Sequence, residues 1–137
     1  MVFGLFLTAG TCGQDLEKNP DLPGSDGFRQ NAQEVSLGTS VIGVVDVRAG
    51  DTSDWKYFVV PAVGVVTVLV SFDQHEAYGE LVFTDERGQT LSTFQDEKRQ
   101  LLDKITVKVE PGKYYLRIFA NREATDYTLT VTFDPLL

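Results

Sequence analysis

Few side chains of this 137-residue sequence have the chemistry for catalysis or for binding a transition metal. The chain contains one His, His75, and one Cys, Cys12, so any Ser-His-Asp triad would depend on His75, and a zinc-cysteine cluster is excluded. No Gly-x-Ser-x-Gly motif is present. We interpret His75 as a solvated residue of a loop over residues 73–78, and we expect the protein not to be an enzyme.

Three aspartates near one turn, Asp46, Asp51 and Asp54, offer the hard oxygen ligands that calcium prefers. Their spacing differs from an EF-hand loop, which needs regularly spaced ligands, a central Gly and a terminal Glu. Asp51 and Asp54 can instead accept backbone N–H hydrogen bonds and set the turn, and we favour this interpretation. We therefore expect no cofactor, with calcium at the three aspartates as the alternative.

Residues 113–120 (KYYLRIFA) form a predicted strand with two partly apolar faces. One face carries Tyr114, Leu116 and Ile118. If that face packs in the core, Tyr115, Arg117 and Phe119 are exposed, and this composition is typical of an interface hot spot. A loop that covers Tyr115 and Phe119, or a central position of the strand, is the alternative. Exposed rings could also stack on sugars, whereas Trp55 leads an apolar strand and is predicted to lie in the core.

Charge and length limit the classes of partner. The chain has 20 Asp and Glu against 12 Lys and Arg, a net charge of −8, and no basic stripe offsets it. A nucleic-acid backbone would be repelled, so nucleic acid is not an expected partner, and the net charge disfavours acidic partners in general. The length fits a single domain.

From residue 41 onward, apolar and polar residues alternate, and turn residues separate the runs. The predicted strands cover residues 41–47, 55–60, 65–72, 80–84, 89–94, 105–110, 113–120 and 127–133. Residues 95–100 (QDEKRQ) are predicted to be a charged loop or a short helix, and residues 28–34 could form one helical turn. About eight short strands without a long helix are typical of an all-β, antiparallel β-sandwich, which we expect over residues 28–137.

The sequence before residue 28 differs from the rest. Residues 1–12 carry no charged side chain, and their length matches the hydrophobic region of a secretory signal peptide. The run ends at Cys12, as in a bacterial lipoprotein signal, whose Cys becomes lipidated; an N-terminal strand or a buried free Cys is the alternative. Residues 13–27 are acidic and contain Pro and Gly, which predicts a flexible tether.

Several segments, taken in order, resemble the bacterial pre-peptidase C-terminal domain. They are DTSDWKYF (residues 51–58), the turn and strand of residues 61–72, LVFTDERGQTL (81–91), PGKYYLRI (111–118) and YTLTV (127–131). Lys56 departs from the pattern, which often has an aromatic residue there. The resemblance implies a jelly-roll-like β-sandwich of the kind found beside catalytic domains of secreted bacterial enzymes. Some relatives bind collagen or polysaccharide, and some bind calcium.

We therefore expect an exported bacterial protein anchored through Cys12, as an outer-membrane lipoprotein or at the periplasm or cell surface. Its single β-sandwich would bind an envelope protein partner through the face of Tyr115, Arg117 and Phe119. One alternative is a structural subunit of an envelope, secretion or motility assembly. Another is a protease-accessory domain, or a domain that binds an extracellular polymer of the collagen or polysaccharide type.

Overall fold

The computed structural model describes residues 28–95 and 103–136. Three expectations fall outside these residues, at least in part. They are the signal-like segment of residues 1–12 with Cys12, the acidic tether of residues 13–27 and the charged loop of residues 95–100.

The described residues contain nine strands and three short 3₁₀ turns. The strands are β1 (Gln33–Glu34), β2 (Ser40–Asp46), β3 (Ser53–Val60), β4 (Gly64–Phe72), β5 (Gly79–Asp85), β6 (Thr90–Gln95), β7 (Asp103–Val109), β8 (Gly112–Ala120) and β9 (Ala124–Pro135). The 3₁₀ turns are Arg29–Asn31, Val47–Ala49 and His75–Ala77.

The strands form two sheets that pack as a β-sandwich, so the predicted fold class is confirmed. One sheet has five strands in the order β1-β3-β8-β5-β6, and the other has four in the order β2-β9-β4-β7. Neighbouring strands are antiparallel except for β1 and β3, which are parallel. In the described part of the chain, no helix has the length and hydropathy of a membrane span.

Alternate side chains fill the space between the sheets, because successive residues of a strand point to opposite faces. The inward residues of β4 are fully buried, and they are Val66, Val68, Val70 and Phe72, as the alternation predicts. Leu116 and Ile118 of β8 and Tyr127 of β9 are also fully buried. Burial of a side chain of this size stabilises the fold by about 1.5–3 kcal/mol, so this alternation is the main source of stability.

In strand β3, two polar residues point into the core, and the aromatic residues Trp55 and Tyr57 point away from it. Phe58 and Val60 are fully buried, so the inward positions also include Asp54 and Lys56, which are 5% and 4% exposed. The Lys56 ammonium donates a hydrogen bond of 2.5 Å to Gln33 Oε1. Trp55 therefore faces away from the core, and the expectation that it belongs to the core is wrong.

The first described residues form a cover at one edge of the five-stranded sheet. The predicted helical turn is present as the 3₁₀ turn Arg29–Asn31, and the chain then enters β1 beside β3. The backbone N–H of Val35 donates to the carbonyl of Tyr57 at 2.8 Å, which extends this pairing. Strand β1 has two residues, too few to show an alternating pattern in the sequence.

Candidate functional site

Aromatic and basic side chains meet on the outer face of the five-stranded sheet. We call this surface the aromatic-basic face, and its members are Arg29, Trp55, Tyr57, Lys113, Tyr115, Arg117 and Phe119. The ladder of β3 with β8 aligns these residues, since Trp55 lies opposite Arg117 and Tyr57 lies opposite Tyr115. Because the alternate positions of both strands are buried in the core, these side chains point outward.

Tyr115 is the centre of the aromatic-basic face. Its ring contacts Trp55 edge-on, with centroids 6.3 Å apart at 76°, and contacts Tyr57 at 6.2 Å and 46°. Offset and edge-to-face pairs of this kind are favoured by the ring quadrupole. The three rings therefore form one connected aromatic surface.

Each cation of the face lies over an aromatic ring. The Arg29 guanidinium is 4.1 Å from the Tyr115 centroid, and the Lys113 ammonium is 4.3 Å from the Tyr57 centroid and 5.4 Å from that of Tyr115. The Arg117 guanidinium lies 4.5 Å from the Phe119 centroid. Cation–π contact holds a charged group in place without neutralising it.

Arg29 reaches the face from the 3₁₀ turn Arg29–Asn31. Its guanidinium donates a hydrogen bond to the backbone carbonyl of Glu86, in the β5–β6 hairpin. Tyr115 is only 9% exposed, and β8 is the central strand of its sheet. Both open alternatives, cover by a neighbouring segment and a central position of the strand, therefore apply to this residue. Arg117 and Phe119 are half-buried, and Arg117 Nε donates to Ser53 Oγ at 3.1 Å.

The three cations lack carboxylate partners within the described residues. The ion pair found there is between Arg48 and Asp46, with Nε and Oδ1 3.5 Å apart. Arg29, Lys113 and Arg117 form no ion pair in this part of the chain, despite 20 acidic residues in the sequence.

Two buried polar atoms beside Tyr115 have no hydrogen-bond partner in the described structure. They are Nε of Arg29 and Oγ1 of Thr84, a β5 residue that lies opposite Tyr115. A buried polar group without a partner costs about 1–3 kcal/mol, so such groups require an explanation. Because both atoms lie beside Tyr115, a ligand on this face could form hydrogen bonds with them.

The three aspartates considered for calcium lie at the end of β2 and the start of β3. Asp46 and Asp51 exchange backbone hydrogen bonds of 2.6 and 2.9 Å, and the Asp46 carboxylate accepts the Arg48 backbone N–H at 3.0 Å. Asp54 points inward and accepts the Tyr127 hydroxyl at 2.6 Å. No group of three or more His, Cys, Asp or Glu residues suited to a metal ion occurs among the described residues. Calcium binding at these aspartates stays the untested alternative to the expectation of no cofactor.

Tyr114, on β8, has a pKa above the ordinary value of tyrosine. Burial raises the pKa of Tyr114, and the nearby carboxylates of Glu110 and Asp85 add to this, although its hydrogen bond to the Glu110 backbone lowers the pKa. The hydroxyl donates to the Glu110 carbonyl at 2.6 Å. Tyr114 packs between Phe58 and Phe83, so its role is structural. The single histidine, His75, lies in the 3₁₀ turn His75–Ala77 and is half-buried.

Sequence reasoning found part of the aromatic-basic face. It placed Tyr115, Arg117 and Phe119 on one face of β8. Lys113 lies two residues before Tyr115, so the same alternation predicts that it lies on this face too. Trp55 and Tyr57 join through the pairing of β3 with β8, which the sequence pattern does not reveal.

Solved structures of other proteins share the fold of this chain. The sequence matches no protein-family model and no curated protein. Among solved structures, the pre-peptidase C-terminal domain of a collagenase from Bacillus anthracis is similar, with a TM-score of 0.64 and 21% identity over 74% of this chain and 94% of that chain. CorA, a surface-associated copper-binding protein of Methylomicrobium album BG8, is also similar, with a TM-score of 0.57 and 10% identity over 75% of this chain and 98% of that chain. The expected resemblance in fold to the pre-peptidase C-terminal domain is therefore confirmed.

Proposed function

We propose that this protein is a non-catalytic binding module that docks a partner protein through the aromatic-basic face. The observation that carries the proposal is the cluster itself, in which connected rings and three cations share one sheet face, and these cations form no ion pair with the residues that the structure describes. Aromatic residues and Arg are enriched at interface hot spots, because they bury large areas and lose little side-chain entropy.

A binding role also agrees with the chemistry of the chain. One His and one Cys leave little scope for nucleophilic or zinc-dependent catalysis. The fold is shared with a domain that accompanies a collagenase and with a surface-associated protein. Both similarities support a module that binds and positions, and fold alone does not assign a ligand.

We place this module in the bacterial cell envelope, exported and lipidated at Cys12. The support is the uncharged run that ends at Cys12 and the acidic, Pro- and Gly-containing stretch that follows it. The lipid would hold the domain at a membrane, and residues 13–27 would act as a spacer between the lipid and the β-sandwich.

The experiment is to recover the native partner and then to truncate the rings. The protein is purified from its own membranes without harsh detergent, and the retained proteins are identified by mass spectrometry. We expect Trp55→Ala and Tyr57→Ala to weaken binding of the identified partner about tenfold or more, since each removes a ring that contacts Tyr115.

Leu69→Ala is the matched control. Leu69 is half-buried on the outer face of the other sheet, on β4, so its truncation removes a comparable apolar side chain away from the aromatic-basic face. Equal affinity of the three variants and the unaltered protein, with all four folded by circular dichroism, would refute docking through this face.

A further inference from the structure

We infer that the aromatic-basic face binds an extended acidic peptide segment of the partner, with two carboxylates four residues apart that flank an apolar side chain. This inference rests on the proposed function and names the chemistry of the partner. It is carried by the charge distribution on the face, by the spacing of its residues along β8, and by the unpaired polar atoms beside Tyr115.

The face gathers three cations although the protein carries a net negative charge. The chain carries −8 overall, yet Arg29, Lys113 and Arg117 gather on one surface without carboxylate partners in the described structure. Carboxylates also border the face. Glu80 accepts hydrogen bonds from Gln95 and Asn121 at 3.1 and 3.0 Å, and Glu34 is exposed beside Tyr57 at the sheet edge.

Among residues 28–95 and 103–136, no ion pair therefore compensates these cations. Holding like charges close together is unfavourable, and an approaching carboxylate relieves that repulsion. Charge complementarity of this kind directs a partner to one orientation and raises its association rate.

The spacing along β8 matches an extended peptide. Lys113, Tyr115 and Arg117 occupy alternate positions on the outward side of the strand. With a rise of about 3.3 Å per residue, the Lys113 and Arg117 backbones are about 13 Å apart. An extended peptide has the same rise, so acidic residues at its first and fifth positions reach the two cations, while the third takes the place over Tyr115 that the Arg29 guanidinium occupies in this structure.

The unpaired atoms provide a polar contact at the middle of this arrangement. Arg29 Nε is a donor and Thr84 Oγ1 can donate as well, and both are already removed from water. If the Arg29 guanidinium moves along the Tyr115 ring, a carbonyl oxygen of the peptide can accept hydrogen bonds from Arg29 Nε and Thr84 Oγ1. Charge-assisted hydrogen bonds to Arg are about twice as strong as neutral ones.

The test uses the full-length protein and a fluorescein-labelled synthetic peptide, with fluorescence anisotropy as the readout. The peptide carries two Asp residues four positions apart, with Leu midway and Ser elsewhere. We expect it to bind, and we expect replacement of both Asp residues by Asn to weaken binding about tenfold or more. We expect a peptide whose Asp residues are three positions apart to bind more weakly, because in an extended chain they then point to opposite sides.

Protein variants locate the interaction. Lys113→Gln and Arg117→Gln remove one charge each, and we expect each to weaken peptide binding several-fold and to reduce its dependence on salt. Lys108→Gln is the matched control, because Lys108 is exposed on β7 of the other sheet, and it should leave binding unchanged.

The inference is overturned if the Asp and Asn peptides show the same affinity, if neither binds, or if Lys108→Gln weakens binding as much as Lys113→Gln. Binding of polygalacturonate without binding of the Asp peptide would assign the face to a polysaccharide and also overturn it. Failure of the proposed function is a separate result. If the native partner is lost on Trp55→Ala but retained by Lys113→Gln and Arg117→Gln, the face docks a protein and only the acidic segment is wrong.

Discussion

Tyr114 shows how a residue next to the binding face serves the fold. Its side chain points inward from β8, stacks on Phe58 with centroids 5.9 Å apart, and keeps its hydroxyl bonded to the Glu110 carbonyl. Its neighbour Tyr115 points outward to the cations. One step along a strand thus separates a packing residue from a recognition residue.

The raised pKa of Tyr114 predicts a loss of stability in alkali. The unfolded chain loses this proton near pH 10, about the ordinary pKa of Tyr, whereas the folded protein holds it to higher pH. Above pH 10 the folded state therefore binds more protons than the unfolded state. The contribution of Tyr114 to the free energy of unfolding is fully present below about pH 10 and is lost as pH rises through the folded pKa.

Tyr114→Phe should remove this contribution to the pH dependence. Urea unfolding at a series of pH values from about 8 to 11 measures it, and the unaltered protein should lose more stability across that range than the variant. Tyr78→Phe serves as control, since Tyr78 is exposed. Parallel curves for the unaltered protein and Tyr114→Phe would contradict the assignment.

At the scale of elements, the approach of β2 to β9 depends on a glycine. Gly43 lies opposite Tyr127 in the ladder, and a Cβ at Gly43 would lie 2.4 Å from the Tyr127 ring. The ring cannot move away easily, because it is fully buried and its hydroxyl is bonded to Asp54.

Gly43→Ala should therefore lower the free energy of unfolding by about 1–3 kcal/mol, the usual cost of overpacking. Thermal or urea unfolding measures the change. Ile42→Ala, at a neighbouring residue that is 76% exposed, should change stability much less. A Gly43→Ala protein as stable as the unaltered one would show that the ring yields at little cost.

The strands could be predicted from the sequence, and much of the site could not. Strong alternation, as in β4 and β9, predicts both the strand and its buried face. In β3 the two polar inward residues, Asp54 and Lys56, conceal that face and led to the wrong position for Trp55. The placement of Arg29 over Tyr115 joins residues 86 positions apart in the chain, and a local pattern carries no information about such a contact.

At the scale of the whole molecule, net charge is a poor guide to the partner. The value of −8 argues against acidic ligands, but it averages over surfaces of different character. A ligand at contact distance responds to charges within about 8–10 Å, because salt screens the more distant ones. The aromatic-basic face can therefore attract a carboxylate although the domain as a whole is acidic.

The envelope assignment makes a prediction about attachment. If Cys12 is lipidated, intact-mass measurement shows an added diacylglycerol-type mass on a chain that begins at Cys12, and the protein fractionates with membranes. Cys12→Ser should abolish both, and circular dichroism of the variant checks that its β-sandwich is folded. Continued membrane fractionation of Cys12→Ser would exclude the lipid anchor.

The entry point of the chain has a mechanical consequence. The 3₁₀ turn Arg29–Asn31 brings Arg29 onto the aromatic-basic face, and β1 with the Val35–Tyr57 hydrogen bond holds this segment on the sheet. The long ladders elsewhere, such as β4 with β9, run over nine residue pairs. Because few paired residues hold this segment, we expect a load applied to its N-terminal side to separate Arg29 from Tyr115 before it breaks the long ladders, which would expose more of the Tyr115 ring.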